Sequence, residues 1–205
     1  MPSVYDLKPR FQSLLRPLTN SLSRAGISAN DVTLFALALS LLSGGAILYS
    51  RSFRILLILP LVLFVRMALN AIDGMLAREH NQKTPLGAIL NELGDVLSDA
   101  ALYLPLATIL PFDPVLVVLI VLLAIISEMT GVLGIQIGAS RRYDGPMGKS
   151  DRAFVFGTLG LLLGLQLPIF PIVRPVLWIV LTLLLLTIFN RSRNALREIR
   201  GRIPS

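Results

Sequence analysis

The sequence has no cysteine among its 205 residues and only one histidine. The absence of cysteine excludes disulfide bonds and thiolate chemistry. The N-terminal segment lacks the apolar core and small-residue cleavage site of a signal peptide, so we expect no cleaved targeting segment. No glycine-rich phosphate loop of the nucleotide-hydrolase type is present, and His80 lies in a polar turn without a partner triad.

Charged residues are also scarce, at 15% of the chain, whereas 54% is hydrophobic. The apolar residues form runs close to the roughly 20 residues that cross a bilayer, which predicts an integral membrane protein. The net charge of +7 comes from basic residues beside these runs. Membrane orientation and contact with anionic lipid explain such residues, so we expect a lipid bilayer and no nucleic acid as the partner.

The fold class predicted is all-α, with six transmembrane helices after an interfacial amphipathic helix. Apolar residues at helical spacing before the first run, with basic residues among them, favour a helix lying on the membrane. We treat residues 1–205 as one membrane domain: an interfacial helix over 1–26, a six-helix bundle over 31–190 and a basic cytoplasmic tail over 191–205. The predicted spans are 31–50, 55–77, 86–110, 114–139, 153–172 and 175–190.

The distribution of lysine and arginine predicts the orientation. Fifteen of the 19 basic residues fall on the side that carries both termini and the segments 78–85 and 140–152, against three on the other side. The positive-inside rule therefore predicts cytoplasmic termini in the cell (inner) membrane. The remaining basic residue, Arg66, lies within the second span.

The stretch "NAIDGMLAREHNQKTPLGAILNELGDVLSD", residues 70–99, places carboxylates and amides inside the second and third spans. Ionisable groups at membrane depth are costly and usually functional. Asn70 and Asp73 share one helical face, and Asn91 and Asp95 share another. In an antiparallel hairpin these faces meet near the cytoplasmic interface. Oxygen ligands of this kind suit Mg²⁺ or Mn²⁺, so the four side chains are the candidate metal ligands.

The same hairpin geometry predicts that Arg66 and Asp99 lie at equal depth. We expect a structural ion pair, which would satisfy two charges that are expensive inside a membrane. Gly74, Ala77 and Gly87 lie on or near the polar faces and would allow a helix or a ligand to approach closely.

The hairpin resembles the signature of the CDP-alcohol phosphatidyltransferases, D-x-x-D-G-x-x-A-R followed by G-x-x-x-D-x-x-x-D. Every interval of that signature is preserved here, with asparagine at two of the four aspartate positions. The matching residues are Asn70, Asp73, Gly74, Ala77, Arg78, Gly87, Asn91 and Asp95.

This resemblance implies transfer of a phosphatidyl-type group from a CDP-linked lipid, typically CDP-diacylglycerol, to a small alcohol acceptor, with release of CMP. It implies Mg²⁺ or Mn²⁺ held by Asn70, Asp73, Asn91 and Asp95, with Asp95 also acting as the catalytic base. Gly74, Ala77, Arg78 and Gly87 would bind the nucleotide and its phosphates.

Two alternatives stay open at this point. Each asparagine removes one negative charge from the metal site, so the chain could be a catalytically impaired member that binds nucleotide or lipid. A cation-coupled transporter is a further reading of the acidic cluster, although no span has the paired mid-membrane breaks of transporter sites.

Three other segments lead to expectations. The basic loop over 140–154 offers Arg142, Lys149 and Arg152 to a phosphate on the acceptor, although anchoring to anionic headgroups also explains such a loop. In "ISANDVT", residues 27–33, Asn30 is predicted to cap the first span. A glycine stripe in the fourth span predicts close helix packing or a homodimer face; its members are Gly131, Gly134 and Gly138.

Overall fold

The computed structural model describes residues 4–50 and 52–201, with side chains from residue 11 onward. Within these ranges the chain is all-helical, without a strand, which confirms the all-α part of the predicted fold class. Two short 3₁₀ turns, Arg54–Leu57 and Leu104–Thr108, accompany the helices. The α-helices are α1 (Val4–Arg24), α2 (Ala29–Ser50), α3 (Ile58–Glu79), α4 (Pro85–Tyr103), α5 (Pro114–Gln136), α6 (Lys149–Gly164) and α7 (Phe170–Arg200).

Four helical segments of the described chain are long and apolar enough to cross a membrane: α2, Arg54–Glu79, α5 and α7. Helix α4 carries three carboxylates, and α6 has only 16 residues, which is about 24 Å at the α-helical rise. The count of six spans and the interfacial position of α1 therefore stay predictions. Residues 1–3 and 202–205, the ends of the predicted interfacial helix and basic tail, lie outside the described residues.

The last two helices divide earlier than the sequence predicts. Helix α6 ends at Gly164 and α7 begins at Phe170, whereas the prediction placed the break at residues 172–175. Gln166 takes a left-handed conformation (φ 59°) and stops the helix, and Pro171 is tolerated in the first turn of α7. Helix α7 then continues to Arg200, so residues 191–200 of the predicted tail are helical.

Two apolar clusters hold the helices in place. The larger one contains residues of α2 through α7 and of both 3₁₀ turns. The smaller one lies between α2 and α3, where Val32 and Met75 are buried, and Leu15 and Leu22 of α1 pack against it. Helix α1 is therefore attached to the same end of α3 that carries the motif.

Glycines allow two close approaches that shape the site. A Cβ at Gly44 of α2 would lie 1.9 Å from the carbonyl oxygen of Ala101 in α4, so the two helix backbones touch. On α5, a Cβ at Gly131 would lie 2.6 Å from the carbonyl oxygen of Arg142. Gly134 faces the carbonyl oxygen of Ser140 in the same way, at 2.9 Å. The predicted close packing of this stripe is thus made with the α5–α6 loop of the same chain, and homodimerisation stays a prediction.

Candidate active site

The turn between α3 and α4 brings the polar faces of these helices together. Asn81 adopts a left-handed conformation (φ 56°) in the turn, and Thr84 caps α4 by accepting a hydrogen bond from the Gly87 amide at 2.9 Å. Asn70 Nδ2 of α3 donates to Asp95 Oδ1 of α4 at 3.1 Å. This contact joins the two halves of the sequence motif across the hairpin.

Helix α2 adds a residue that the sequence reasoning missed. Asp73 is buried, and its Oδ2 accepts a hydrogen bond from Thr33 Oγ1 at 2.8 Å. Thr33 is the last residue of the "ISANDVT" stretch, so the threonine of that stretch was the available signal. The site is therefore built from three helices. We call the four motif side chains on α3 and α4 the motif layer: Asn70, Asp73, Asn91 and Asp95.

The prediction that Asn30 caps α2 is wrong. Ser28 performs this role: its amide and hydroxyl donate to Asp31 Oδ2 at 2.9 and 2.7 Å, and its Oγ accepts from the Asp31 amide at 3.2 Å. This reciprocal arrangement is a capping box, and it leaves the Asn30 side chain free to face α4. A Cβ at Gly87 would lie 2.7 Å from Asn30 Oδ1, so the motif glycine makes room for this amide.

Gly74 and Arg78 of α3 lie against each other at the edge of the motif layer. A Cβ at Gly74 would lie 2.9 Å from Arg78 Nη2, so the guanidinium folds back over the glycine. Arg78 is otherwise exposed, while Ala77 is half-buried and packs against the smaller apolar cluster. Among the predicted nucleotide-binding residues, Arg78 thus supplies an exposed cation, and Gly74 beside it supplies backbone without a side chain.

The base candidate, Asp95, meets the start of α6. Lys149 Nζ donates to Asp95 Oδ2, and Lys149 is the first residue of its helix. Asp151 Oδ2 accepts from the Gly148 amide at 2.9 Å and holds that helix end in place. Both carboxylate oxygens of Asp95 therefore have a donor, one on α3 and one on α6.

An ion-pair layer lies one helical turn from the motif layer. Arg66 Nη1 donates to Asp99 Oδ1 at 2.9 Å, the pair that the hairpin geometry predicts. Arg152 Nη2 lies 3.0 Å from Asp99 Oδ2 and 3.2 Å from Glu128 Oε1. Arg191 Nη1 of α7 lies 3.3 Å from Glu128 Oε2. The five side chains are all buried and join α3, α4, α5, α6 and α7.

From the sequence, Glu128 is expected either to line the site or to form a buried hydrogen bond to a neighbouring helix, and Arg191 has no predicted role. Arg191 was counted in the basic tail, but it donates to the Ser127 carbonyl and to the Asp144 carbonyl as well. The signal for Glu128 was its position as the single carboxylate in a long apolar run. A lone acid at such depth requires a cationic partner, although the sequence does not indicate which one.

The loop between α5 and α6 is bound by carboxylates of the same chain. Arg141 pairs with Glu92 of α4 and stacks on the Tyr143 ring at 4.2 Å. Arg142 grips Asp144 with Nε and Nη2 at 2.7 and 2.8 Å and reaches Glu198 of α7 at 2.9 Å. The Arg142 hydrogen bonds hold the pKa of the Asp144 carboxyl below its ordinary value. The loop is thus clamped to α4 and α7.

The three predicted acceptor residues consequently lie in different surroundings. Arg152 is 1% exposed and belongs to the ion-pair layer. Arg142 is bound to the loop and α7. Only Lys149 touches the motif layer, and about a third of its side chain is exposed.

The donor set of the motif layer suits a divalent cation. Among the residues that the structure describes, no three histidine, cysteine, aspartate or glutamate side chains come together as a metal group. The motif layer instead offers two carboxylates and two amides, and oxygen donors of both kinds bind hard cations. A carboxylate has about four lone-pair sites, so Asp95 retains acceptor capacity beside its two hydrogen bonds.

Known proteins resemble this chain over most of its length. It is 49% identical over 195 residues to the inner membrane protein YnbA of Escherichia coli strain K12, covering 95% of this chain and 96% of that one. Its fold is similar to that of the phosphatidylinositol phosphate synthase PgsA1 of Mycobacterium tuberculosis with CDP-DAG bound, with a TM-score of 0.72 and 19% identity over 87% of this chain and 92% of that one.

A second structure of the same mycobacterial protein, in complex with manganese and citrate, also has a TM-score of 0.72, at 18% identity and 87% coverage of each chain. The sequence profile of the CDP-alcohol phosphatidyltransferases matches residues 27–190, which contain the whole motif layer and every member of the ion-pair layer except Arg191. The chain therefore belongs to the CDP-alcohol phosphatidyltransferase family.

Proposed function

We propose that this protein transfers a phosphatidyl-type group from CDP-diacylglycerol to an alcohol acceptor and releases CMP. The observation that carries this proposal is the contact between Asn70 and Asp95, which closes the two halves of the motif around one oxygen-lined layer. Membership of the family supports the reaction type, and the binding of CDP-DAG by a protein of the same fold supports the donor. The relation to an inner membrane protein supports the same location for this chain.

The nucleotide would bind where the motif layer opens. Arg78 is exposed and folded over Gly74, so its guanidinium can swing to a phosphate and leave the glycine backbone as the near wall. Arginine suits this role because its planar fork can grip phosphate oxygens in pairs. Ala77 and Gly87 are small, so the neighbouring helix surfaces leave room for the nucleotide.

The acceptor would approach from the side of Lys149. In the transfer, the acceptor oxygen forms a bond to the phosphorus of the phosphatidyl group as the bond to the CMP oxygen breaks. The acceptor's hydroxyl proton passes to Asp95, and CMP leaves with the bonding electrons. Asp95 can receive this proton because its side chain is partly exposed, so the acceptor hydroxyl can reach it. General-base catalysis by a positioned carboxylate contributes about 10²- to 10⁴-fold.

A divalent cation bound to the motif layer would supply Lewis-acid stabilisation of the charge on the transferred phosphate. The manganese complex of the mycobacterial protein supports this cofactor class for the present chain. We propose Asp73 and Asp95 as its anionic ligands, with the amide oxygens of Asn70 and Asn91 completing the protein's contribution.

The test is CMP release from CDP-diacylglycerol by purified protein with Mn²⁺ or Mg²⁺ and a panel of alcohols that includes phosphorylated ones. The variant Asp95→Asn should reduce release by about 10²-fold or more, since it removes the base but keeps a similar shape. The matched control is Asp113→Asn, at the far end of α5, where an asparagine can still cap the helix. Absence of release by the wild type over the whole panel contradicts the proposal and favours a family member that only binds nucleotide or lipid.

A further inference from the structure

Asp95 is surrounded by positive and donor groups that belong to the chain itself. Lys149 Nζ donates to Oδ2, and Asn70 Nδ2 donates to Oδ1 at 3.1 Å. Arg66 Nη2 lies 3.9 Å from Oδ1, on the side of the ion-pair layer. The Lys149 ammonium and the Asn70 amide therefore each donate to one oxygen of the Asp95 carboxylate. In a layer made only of acids, bound cations would be expected at these two positions.

The amide at position 70 changes what this layer requires. Two carboxylates at hydrogen-bonding distance repel each other unless a proton or a cation lies between them. Asn70 instead donates directly to Asp95, so the contact is favourable without any bridging ion. The asparagine thus replaces a cation-bridged pair of acids by a simple hydrogen bond.

The charge of the motif layer leads to the same conclusion. Asp73 and Asp95 carry two negative charges, which one divalent cation balances, while Asn70 and Asn91 carry none. A second divalent cation would leave the layer with two excess positive charges before Lys149 is counted. Like charges so close together are costly where water is scarce, and Arg66 is already buried on the neighbouring turn.

We propose that this site holds a single divalent cation, and that the Lys149 ammonium stands against Asp95 in place of a second one. The inference rests on the proposed function, because it concerns the same site. With one cation bound, the layer and Lys149 together carry one net positive charge, which favours an anionic phosphate donor. Lys149 also places a cation beside the reacting phosphate without requiring a further metal ligand.

The primary experiment measures binding of Mn²⁺ alone to the purified full chain in detergent, by electron paramagnetic resonance of the free ion. The wild type should saturate at one Mn²⁺ per chain. Saturation at two ions of similar affinity, or no binding at all, overturns the inference. The measurement needs no turnover and no variant, so its outcome is distinct from a failure of CMP release, which bears on the proposed function.

A triple variant tests the replacement directly. Asn70→Asp with Asn91→Asp and Lys149→Met restores two acids and removes the ammonium, and it should saturate at two Mn²⁺ per chain. A folded triple variant, recognised by an unchanged elution volume and helical circular dichroism, that still binds one ion would contradict the role given to these three residues. If that variant does not fold, the number of Mn²⁺ ions bound per wild-type chain is by itself the test of the inference.

The contribution of Lys149 is measured with Lys149→Met by itself. CMP release should fall about tenfold or more because the charge beside the phosphate is lost, while Mn²⁺ stoichiometry stays at one. Lys149→Arg should recover most of the release, since a cation is again present, and Lys83→Met in the exposed α3–α4 turn is the matched control. Unchanged release in Lys149→Met would overturn the assignment of this residue.

Discussion

The motif layer and the ion-pair layer lie one helical turn apart and treat charge in opposite ways. In the ion-pair layer, three arginines and two carboxylates are buried and pair with one another across five helices. In the motif layer, two carboxylates are accompanied by two uncharged amides, and the Asp95 side chain is 22% exposed. The first arrangement holds helices together, whereas the second keeps capacity for ligands from outside. Two neighbouring sets of polar residues therefore separate stability from chemistry.

The strongest test of this separation is Asp99→Ala. The substitution leaves Arg66 and Arg152 without their shared carboxylate in a buried position, and removing one partner of a buried ion pair costs about 3–5 kcal/mol. We expect a large loss of folded protein and a lower thermal midpoint in detergent, measured by size-exclusion chromatography and circular dichroism at increasing temperature.

The comparison for that experiment is Asp95→Asn, one turn away on the same helix. Because Asp95 is partly exposed and its neighbours can turn to solvent, this variant should keep a near-normal thermal midpoint while losing activity. Equal destabilisation by the two substitutions would show that the layers are not separate in function.

A smaller effect, confined to the motif layer, is expected from Gly74→Ala. The added Cβ would lie 2.9 Å from Arg78 Nη2, and a flexible exposed side chain can move away at little cost to folding. Arg78 would then be displaced from its place beside the donor's phosphate. We expect a several-fold rise in KM for CDP-diacylglycerol with little change in the thermal midpoint. A lower kcat at unchanged KM would argue against a binding role for this pair.

The smallest effect concerns the loop outside both layers. Arg142 lowers the pKa of Asp144, so the pair stabilises the folded state above the ordinary aspartate pKa, and this contribution is lost as the pH falls through the lowered value. Since the pair is partly exposed, Asp144→Asn should cost under about 1 kcal/mol at pH 7. Thermal midpoints of wild type and variant should converge as the pH drops below 4. A difference that persists there would point to a contact other than the ion pair.

The sequence predicted the parts of this protein that depend on spacing along one hairpin. The all-helical fold followed from apolar runs of bilayer length. The facing of Asn70 with Asp95 and of Arg66 with Asp99 follows from an antiparallel turn near residue 82, because helical rise places equal distances from the turn at equal depth. Both contacts are found in the structure.

The contacts that the sequence did not predict join elements far apart in the chain. Lys149 reaches Asp95 across 54 positions, and Arg191 lies against Ser127 across 64. The depth of a residue along its own helix does not show which of several other helices lies opposite that residue. The wrong prediction for Asn30 has a local cause instead: Ser28 and Asp31 form the better cap, so the amide was released to face Gly87.

The ion-pair layer also constrains the order in which the protein can be assembled during synthesis. Arg66 and Asp99 belong to one hairpin and can neutralise each other as soon as α4 has followed α3 out of the ribosome. Glu128 arrives next on α5, and its three partners all follow it in the chain: Arg141 in the α5–α6 loop, Arg152 on α6 and Arg191 on α7. Until those segments emerge, α5 carries an uncompensated acid. Its lasting insertion therefore depends on residues that the ribosome has not yet made.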